Sequence, residues 1–282
     1  MTARTEQAQL ITIDSTDGTS IGLWKSGSGP SLLAVHGGGA DHSAWDSVAP
    51  LLADSFTVYA MDRRGRGGSG DADGYAIERE FDDVASAADA LPAPVHLYGH
   101  SFGGTCSIEA ALRTDNVASL MLYEGGPKPA GLRFIPDEFV AHLEQLIVAG
   151  QREEALSTFL LKGAGVAPEE LPVLRKHPAW PARVAAANTL PRELRAINDY
   201  GADMAKFSNL KMPTLLIVGS ETEARRREML ERLVQVLPTA RLAVLPGQRH
   251  AAHQTAPELF AATLREFLNS ARSSAKPAPT AP

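Results

Sequence analysis

The segment Gly99-His100-Ser101-Phe102-Gly103-Gly104 constrains this chain more than any other. It lies between a short apolar run, Val95 to Tyr98, and a stretch of small residues that predicts a helix to about Arg113. A serine forced into so tight a strand-to-helix turn holds its Oγ outward. The flanking glycines are needed because a Cβ at either would collide with neighbouring backbone. The helix beyond contributes a partial positive charge from its N-terminus, which favours an anion forming at Ser101. A phosphate loop of the Walker type would need a lysine after the glycine pair, and Thr105 stands there instead.

Around this turn the chain alternates strand and helix signals. Leu10 to Ile13, Ile21 to Trp24, Leu32 to Val35, Phe56 to Met61 and Val95 to Tyr98 are short apolar runs bounded by Gly, Asp or Pro. Wholly apolar runs predict parallel strands buried on both faces. Ile77, Phe81, Val84, Ala88 and Leu91 recur at helical spacing, as a crossover helix requires. Ala118 to Tyr123 reads as a further strand. From Pro127 to Lys211 the strand rhythm stops; Phe139, Leu143, Leu146 and Ile147 share one helical face, and Pro168, Pro172, Pro178, Pro181 and Pro191 are expected to break the helices. Strands return at Thr214 to Val218 and Leu242 to Leu245. The helices that follow them align Met229, Leu233 and Leu237, then Phe260, Leu264 and Phe267. Residues 273–282 contain only Ser, Ala, Lys, Pro and Thr, and predict a disordered tail.

Composition excludes several functions. With 27 Lys and Arg against 33 Asp and Glu, the net charge of −6 repels polyanions, so nucleic acid is not an expected partner. The basic run Arg63-Arg64-Gly65-Arg66-Gly67-Gly68 is a single copy without stacking aromatics, unlike an RNA-binding tract. No apolar run approaches the ~18 to 20 residues of a bilayer span, and Met1 to Gln9 lacks a secretory h-region. A cytoplasmic protein without membrane association is therefore expected. A single cysteine, Cys106, precludes an intrachain disulfide and a multi-cysteine metal site, and is expected to be a small buried hydrophobe.

A serine hydroxyl is a weak nucleophile until a base takes its proton. Of the eight histidines, His250 is favoured as that base because it sits in a loop after the last expected strand; His253 is the reserve. The carboxylate that would orient the imidazole is open. Glu124 ends the strand after the nucleophile helix, while Glu221 and Glu223 follow the strand at Thr214 to Val218, and each keeps the order Ser, acid, His. Near a helix N-terminus, Glu221 and Glu223 also serve simply to complement the dipole. His36-Gly37-Gly38-Gly39 follows another strand and leaves backbone N–H groups free. Gly37 or Gly38, with Phe102, would supply the two donors of an oxyanion hole, and His36 is expected to shape that loop.

These motifs, with Asp62 to Gly70, resemble the α/β-hydrolase superfamily in order and spacing, from about Leu10 to Leu268. The resemblance implies an α/β fold with a mostly parallel eight-stranded sheet flanked by helices. It places the core at residues 1–126 and 211–272 and an inserted helical cap at 127–210. Many such proteins carry an Asp three residues after the glycine ending the strand, where this chain has Thr222; in others, haloalkane dehalogenases among them, the acid follows the preceding strand, the place of Glu124. Epoxide hydrolases and haloalkane dehalogenases use Asp at the elbow, so Ser101 argues against both. The resemblance implies a hydrolase, free of metal and cofactor, acting on a small, largely apolar ester or lactone. Cleavage of a carbon–carbon bond in a diketone-type substrate, or ligand binding without turnover, are the alternatives.

Overall fold

The computed structural model describes residues 8–133 and 135–274; most of the expected tail, and the N-terminal segment before Ala8, lie outside them. Eight strands form one sheet: β1 (Gln9–Asp14), β2 (Ser20–Gly27), β3 (Ser31–Val35), β4 (Thr57–Met61), β5 (Val95–His100), β6 (Val117–Tyr123), β7 (Thr214–Gly219) and β8 (Ala240–Leu245). Their order is β1-β2-β4-β3-β5-β6-β7-β8. β1 pairs with β2, and β2 with β4, in antiparallel fashion, and every other pairing is parallel. Of the apolar sequence runs, those in β3, β4, β5 and β7 are covered along their whole length, whereas Leu10 to Ile13 and Leu242 to Leu245 lie in the edge strands β1 and β8, which have only one neighbour each and are largely exposed.

Side-chain alternation divides the sheet between two cores. Leu33 and Leu97 point to one face, where they pack with Phe81 and Val84 of α1 (Ile77–Ala90), Ile108 of α2 (Phe102–Ala110), and Leu230 and Leu233. Leu32 and Tyr98 point to the other, against Trp45, Phe260 and Leu264. Each such buried side chain contributes about 1.5–3 kcal/mol relative to exposure.

Between β6 and β7 lies a helical segment with its own apolar cluster, built from Val140 and Leu143 of α3 (Asp137–Val148), Leu156 of α4 (Arg152–Thr158), and Leu190 and Leu194 of α5 (Leu190–Asp199). A π-helical turn, Phe159–Gly163, continues α4. The prolines behave differently from the expectation. Pro172, Pro181 and Pro191 stand in the first turns of Leu171–Arg175, Trp180–Ala185 and α5. There no intrahelical acceptor exists for the N–H that proline lacks, so these residues start helices. After β7, α6 (Ala224–Val236) and, after β8, α7 (Pro257–Ser274) complete the two layers. α7 runs through Ser273 and Ser274, the first two residues of the expected tail.

Candidate active site

Ser101 stands between β5 and α2 with φ 53° and ψ −119°, a conformation that costs a non-glycine residue about 1–3 kcal/mol. Close backbone packing enforces it. A Cβ on Gly103 would lie 2.5 Å from the carbonyl oxygens of Val35 and His36, and one on Gly125 would lie 2.2 Å from that of Ser101. The Ser101 N–H donates to the Tyr123 carbonyl at 3.0 Å, tying the turn to the end of β6.

One residue further, Glu124 also has a positive φ, 45°, and its carboxylate is buried. It accepts from three donors: the Gly219 N–H at 2.9 Å, the Thr222 hydroxyl, and His250 Nδ1 at 2.8 Å. Thr222 holds the place where a carboxylate was awaited, and it spends its hydroxyl on the acid that comes from the neighbouring strand instead. Burial alone would raise the Glu124 pKa; the bonds and charge of His250, with Thr222 and Gly219, outweigh it and hold the carboxyl below its ordinary value. Glu221 and Glu223 are exposed, and Glu223 pairs with Arg225 at 2.8 Å. Neither meets a histidine.

With Nδ1 donating to Glu124, the imidazole of His250 leaves Nε2 as an acceptor. Burial, and then the positive charge of Arg226, push its pKa below the ordinary histidine value against the pull of Glu124, so the ring is neutral at pH 7. The loop carrying it is pinned from below. The Tyr123 hydroxyl donates to the Arg249 carbonyl and accepts from the Ala252 N–H at 3.0 Å, while His100 Nε2 bonds the His250 carbonyl at 3.0 Å. His253 lies tilted against His100 and Trp45, and burial with the charges of His250 and Arg183 lowers its pKa to about 3.

His36 donates from Nδ1 to the Gly37 carbonyl at 2.8 Å and accepts at Nε2 from the Arg63 N–H at 3.2 Å. Arg63 Nη1 bonds the same Gly37 carbonyl at 3.2 Å. In a trans peptide the N–H points opposite the C=O, so this inward carbonyl turns the Gly38 N–H toward the cavity. The Phe102 N–H, in the first turn of α2, has no intrahelical acceptor. Arg63 also stacks its guanidinium 4.1 Å from the Phe102 ring centre, so one buried side chain braces both donor positions. Sequence reading missed this role, and the arginine-rich run was its only signal.

Ser101 opens on two connected cavities that share Gly38, Phe159 and Ala164 as walls. The larger, about 110 Å³, is mainly apolar, with Ile135, Leu190, Leu194, Ile197 and Met229 among its walls. The smaller, about 40 Å³, holds His250, His253 and Arg183. Ser101 and His250 share this second cavity, and no direct hydrogen bond joins them. Among the described residues no cluster of His, Cys, Asp or Glu is arranged to hold a metal ion, and no helix is long and apolar enough to cross a membrane. Cys106 is buried in α2.

A mostly parallel sheet with a strained serine at the strand-to-helix turn defines the α/β-hydrolase class, and residues 32–263 match the model of the alpha/beta hydrolase family; the chain belongs to that family. Hydrolases are among its relatives. A fluoroacetate dehalogenase from a Burkholderia species is 31% identical over 88% of this chain and 90% of its own length. A pimeloyl-[acyl-carrier protein] methyl ester esterase from Nitrosomonas europaea is 26% identical over 86% of this chain and 96% of its own. The crystal structure of an alpha/beta hydrolase from Sphaerobacter thermophilus superposes with a TM-score of 0.79 at 34% identity, covering 92% of this chain and all of that one.

Proposed function

We propose that this hydrolase is a serine esterase acting on a small, largely apolar ester or lactone, with Ser101, His250 and Glu124 as its catalytic triad. The bond of 2.8 Å between His250 Nδ1 and Glu124 Oε2 carries this reading, because it sets the tautomer that leaves Nε2 ready to take a proton from Ser101. His250 accepts that proton as Ser101 Oγ attacks the carbonyl carbon. The N–H groups of Phe102 and Gly38 receive the oxyanion, each donor worth about 3 kcal/mol of barrier. His250 then returns the proton to the leaving oxygen, and water, activated by the same base, releases the acyl group from Ser101. The helical segment serves as a cap whose apolar walls hold the acyl chain and exclude water.

The esterase from Nitrosomonas europaea supports this reading by its name. The dehalogenase relative does not extend to this chain, since displacing a halide from carbon with Ser101 would leave an ether that water does not cleave. Labelling with a fluorophosphonate probe, mapped by peptide mass, tests the proposal. An adduct at Ser101 of the wild type, slowed by His250→Ala and Glu124→Gln, is the expected result. A folded wild type that takes no label, and cleaves no ester, would overturn it in favour of ligand binding without turnover.

A further inference from the structure

Among the described residues four arginines are buried, and they fall into two groups. Arg63, Arg64 and Arg66 are buried, and each is matched by a buried carboxylate: Glu80, Asp83 and Glu193. Arg183, on Trp180–Ala185, is also buried, at 7% exposure, yet no carboxylate lies within ion-pairing distance of it among the described residues. Its Nε donates to the Gly39 carbonyl at 2.7 Å and its guanidinium lies 5.9 Å from the Trp180 ring centre, while no protein acceptor meets the forked Nη1 and Nη2 end. The nearest acid it senses, Asp41, is engaged by the Ser43 N–H at 3.0 Å and the Ser43 hydroxyl. A buried cation left unpaired is costly, and a site that keeps one gains from a ligand that supplies the missing anion.

Arg183 lines the smaller of the two cavities at Ser101, and no acidic side chain lines that cavity. His250 stands on the same wall. In this orientation the leaving oxygen, which His250 must protonate, faces the small cavity, and the acyl chain faces the large apolar one. A volume of about 40 Å³ admits only a few heavy atoms beyond that oxygen.

We propose that Arg183 binds a carboxylate on the alcohol side of the scissile ester, so that the preferred substrates are apolar acyl esters of small hydroxy acids. This inference rests on the esterase reading above. In the reaction the ester C–O bond breaks as Ser101 is acylated, and the hydroxy acid departs with the proton from His250. Water then transfers the acyl group from Ser101 to give the carboxylic acid.

The test compares O-butanoylglycolate with its neutral counterpart, the butanoyl ester of glycolamide, by pH-stat titration. A bidentate charge-assisted pair predicts that kcat/KM of wild type favours the anion by about ten- to a hundredfold. Arg183→Met should lower kcat/KM for the anion by about that factor more than for the amide, and Arg183→Lys should restore part of the difference. Glycolate, but not glycolamide, should protect wild-type Ser101 from the fluorophosphonate, a readout that needs no folded variant. Equal or better cleavage of the neutral ester by wild type, or an equal loss on both esters in Arg183→Met, would overturn the proposal and leave Arg183 as a tie to the Gly39 carbonyl. Labelling of Ser101 with no protection by glycolate would likewise reject it while sparing the esterase reading. Absence of both labelling and turnover would remove the two together.

Discussion

The sheet and the helical segment above it are assembled by different forces. The sheet is locked by apolar packing on both faces, and its strained positions, Ser101 and Glu124, are fixed by backbone contacts too close for a side chain. The seam to the helical segment is instead mixed: Ile197 of α5, with Ala202, Phe207 and Leu210, packs against the core on one face of the sheet, and buried charges pair beside them. Glu193 of α5 reaches down between Arg63, 2.9 Å away, and Arg66. Burial pushes the Glu193 pKa up, but those two arginines outweigh it and hold it at about 2. The comparison teaches a division of labour: the strained turns are held by the sheet's own close backbone packing, whereas the helical segment is joined to it by apolar contacts and a few buried ion pairs.

Substitutions can break that comparison in order of effect. Ser101→Ala should cost about 10⁶-fold in kcat with the melting temperature nearly unchanged, since the elbow is held by glycine contacts that the hydroxyl does not make. Glu124→Gln should cost about 10⁴-fold in kcat, again without unfolding, because an amide oxygen can still accept from Gly219 and Thr222 but cannot fix the His250 tautomer or stabilise its cation. Glu221→Gln and Glu223→Gln should leave the rate within about twofold, as expected of exposed side chains that make no hydrogen bond to the imidazole.

Glu193→Gln attacks the seam. It leaves Arg66 without a buried counter-charge and Arg63 with Glu80 alone, and should destabilise the protein by about 3–5 kcal/mol in denaturant titration. Because Arg63 also braces the Gly37 carbonyl, the same variant should lower kcat in assays run well below its melting temperature; an unchanged kcat would sever the seam from the oxyanion loop.

The smallest effect concerns pH. The proposed mechanism needs neutral His250, and burial with the Arg226 charge favours that form, so kcat/KM should hold as pH falls through the ordinary histidine value and fail only below it. Arg226→Gln removes a neighbouring cation, which makes protonation of His250 easier and should move the acid limb upward. A limb that moves downward or stays would show that another group governs it.

Much of this architecture is legible in the residues. Buried parallel strands demand unbroken apolar runs, so β3, β4, β5 and β7 stand out, and the Ser101 turn is marked by glycines that no other residue could replace. The helical segment is harder to read, since a proline ends one helix and starts another with the same chemistry, and only the chain's path decides which. Thr222 was visible as a departure from a familiar spacing, but its bond to Glu124 was not.

The sequence by itself determined the sheet, the elbow and the three carboxylates that could serve His250, because those depend on residue type and on neighbours close in the chain. Tertiary structure decided the rest. It brought Glu124 to within 2.8 Å of a residue 126 positions away, gave Arg63, Arg64 and Arg66 carboxylates drawn from two distant helices, and left Arg183 with none. Charges find partners through space, across separations that no local pattern encodes, and their balance is settled only when the whole chain has closed around them.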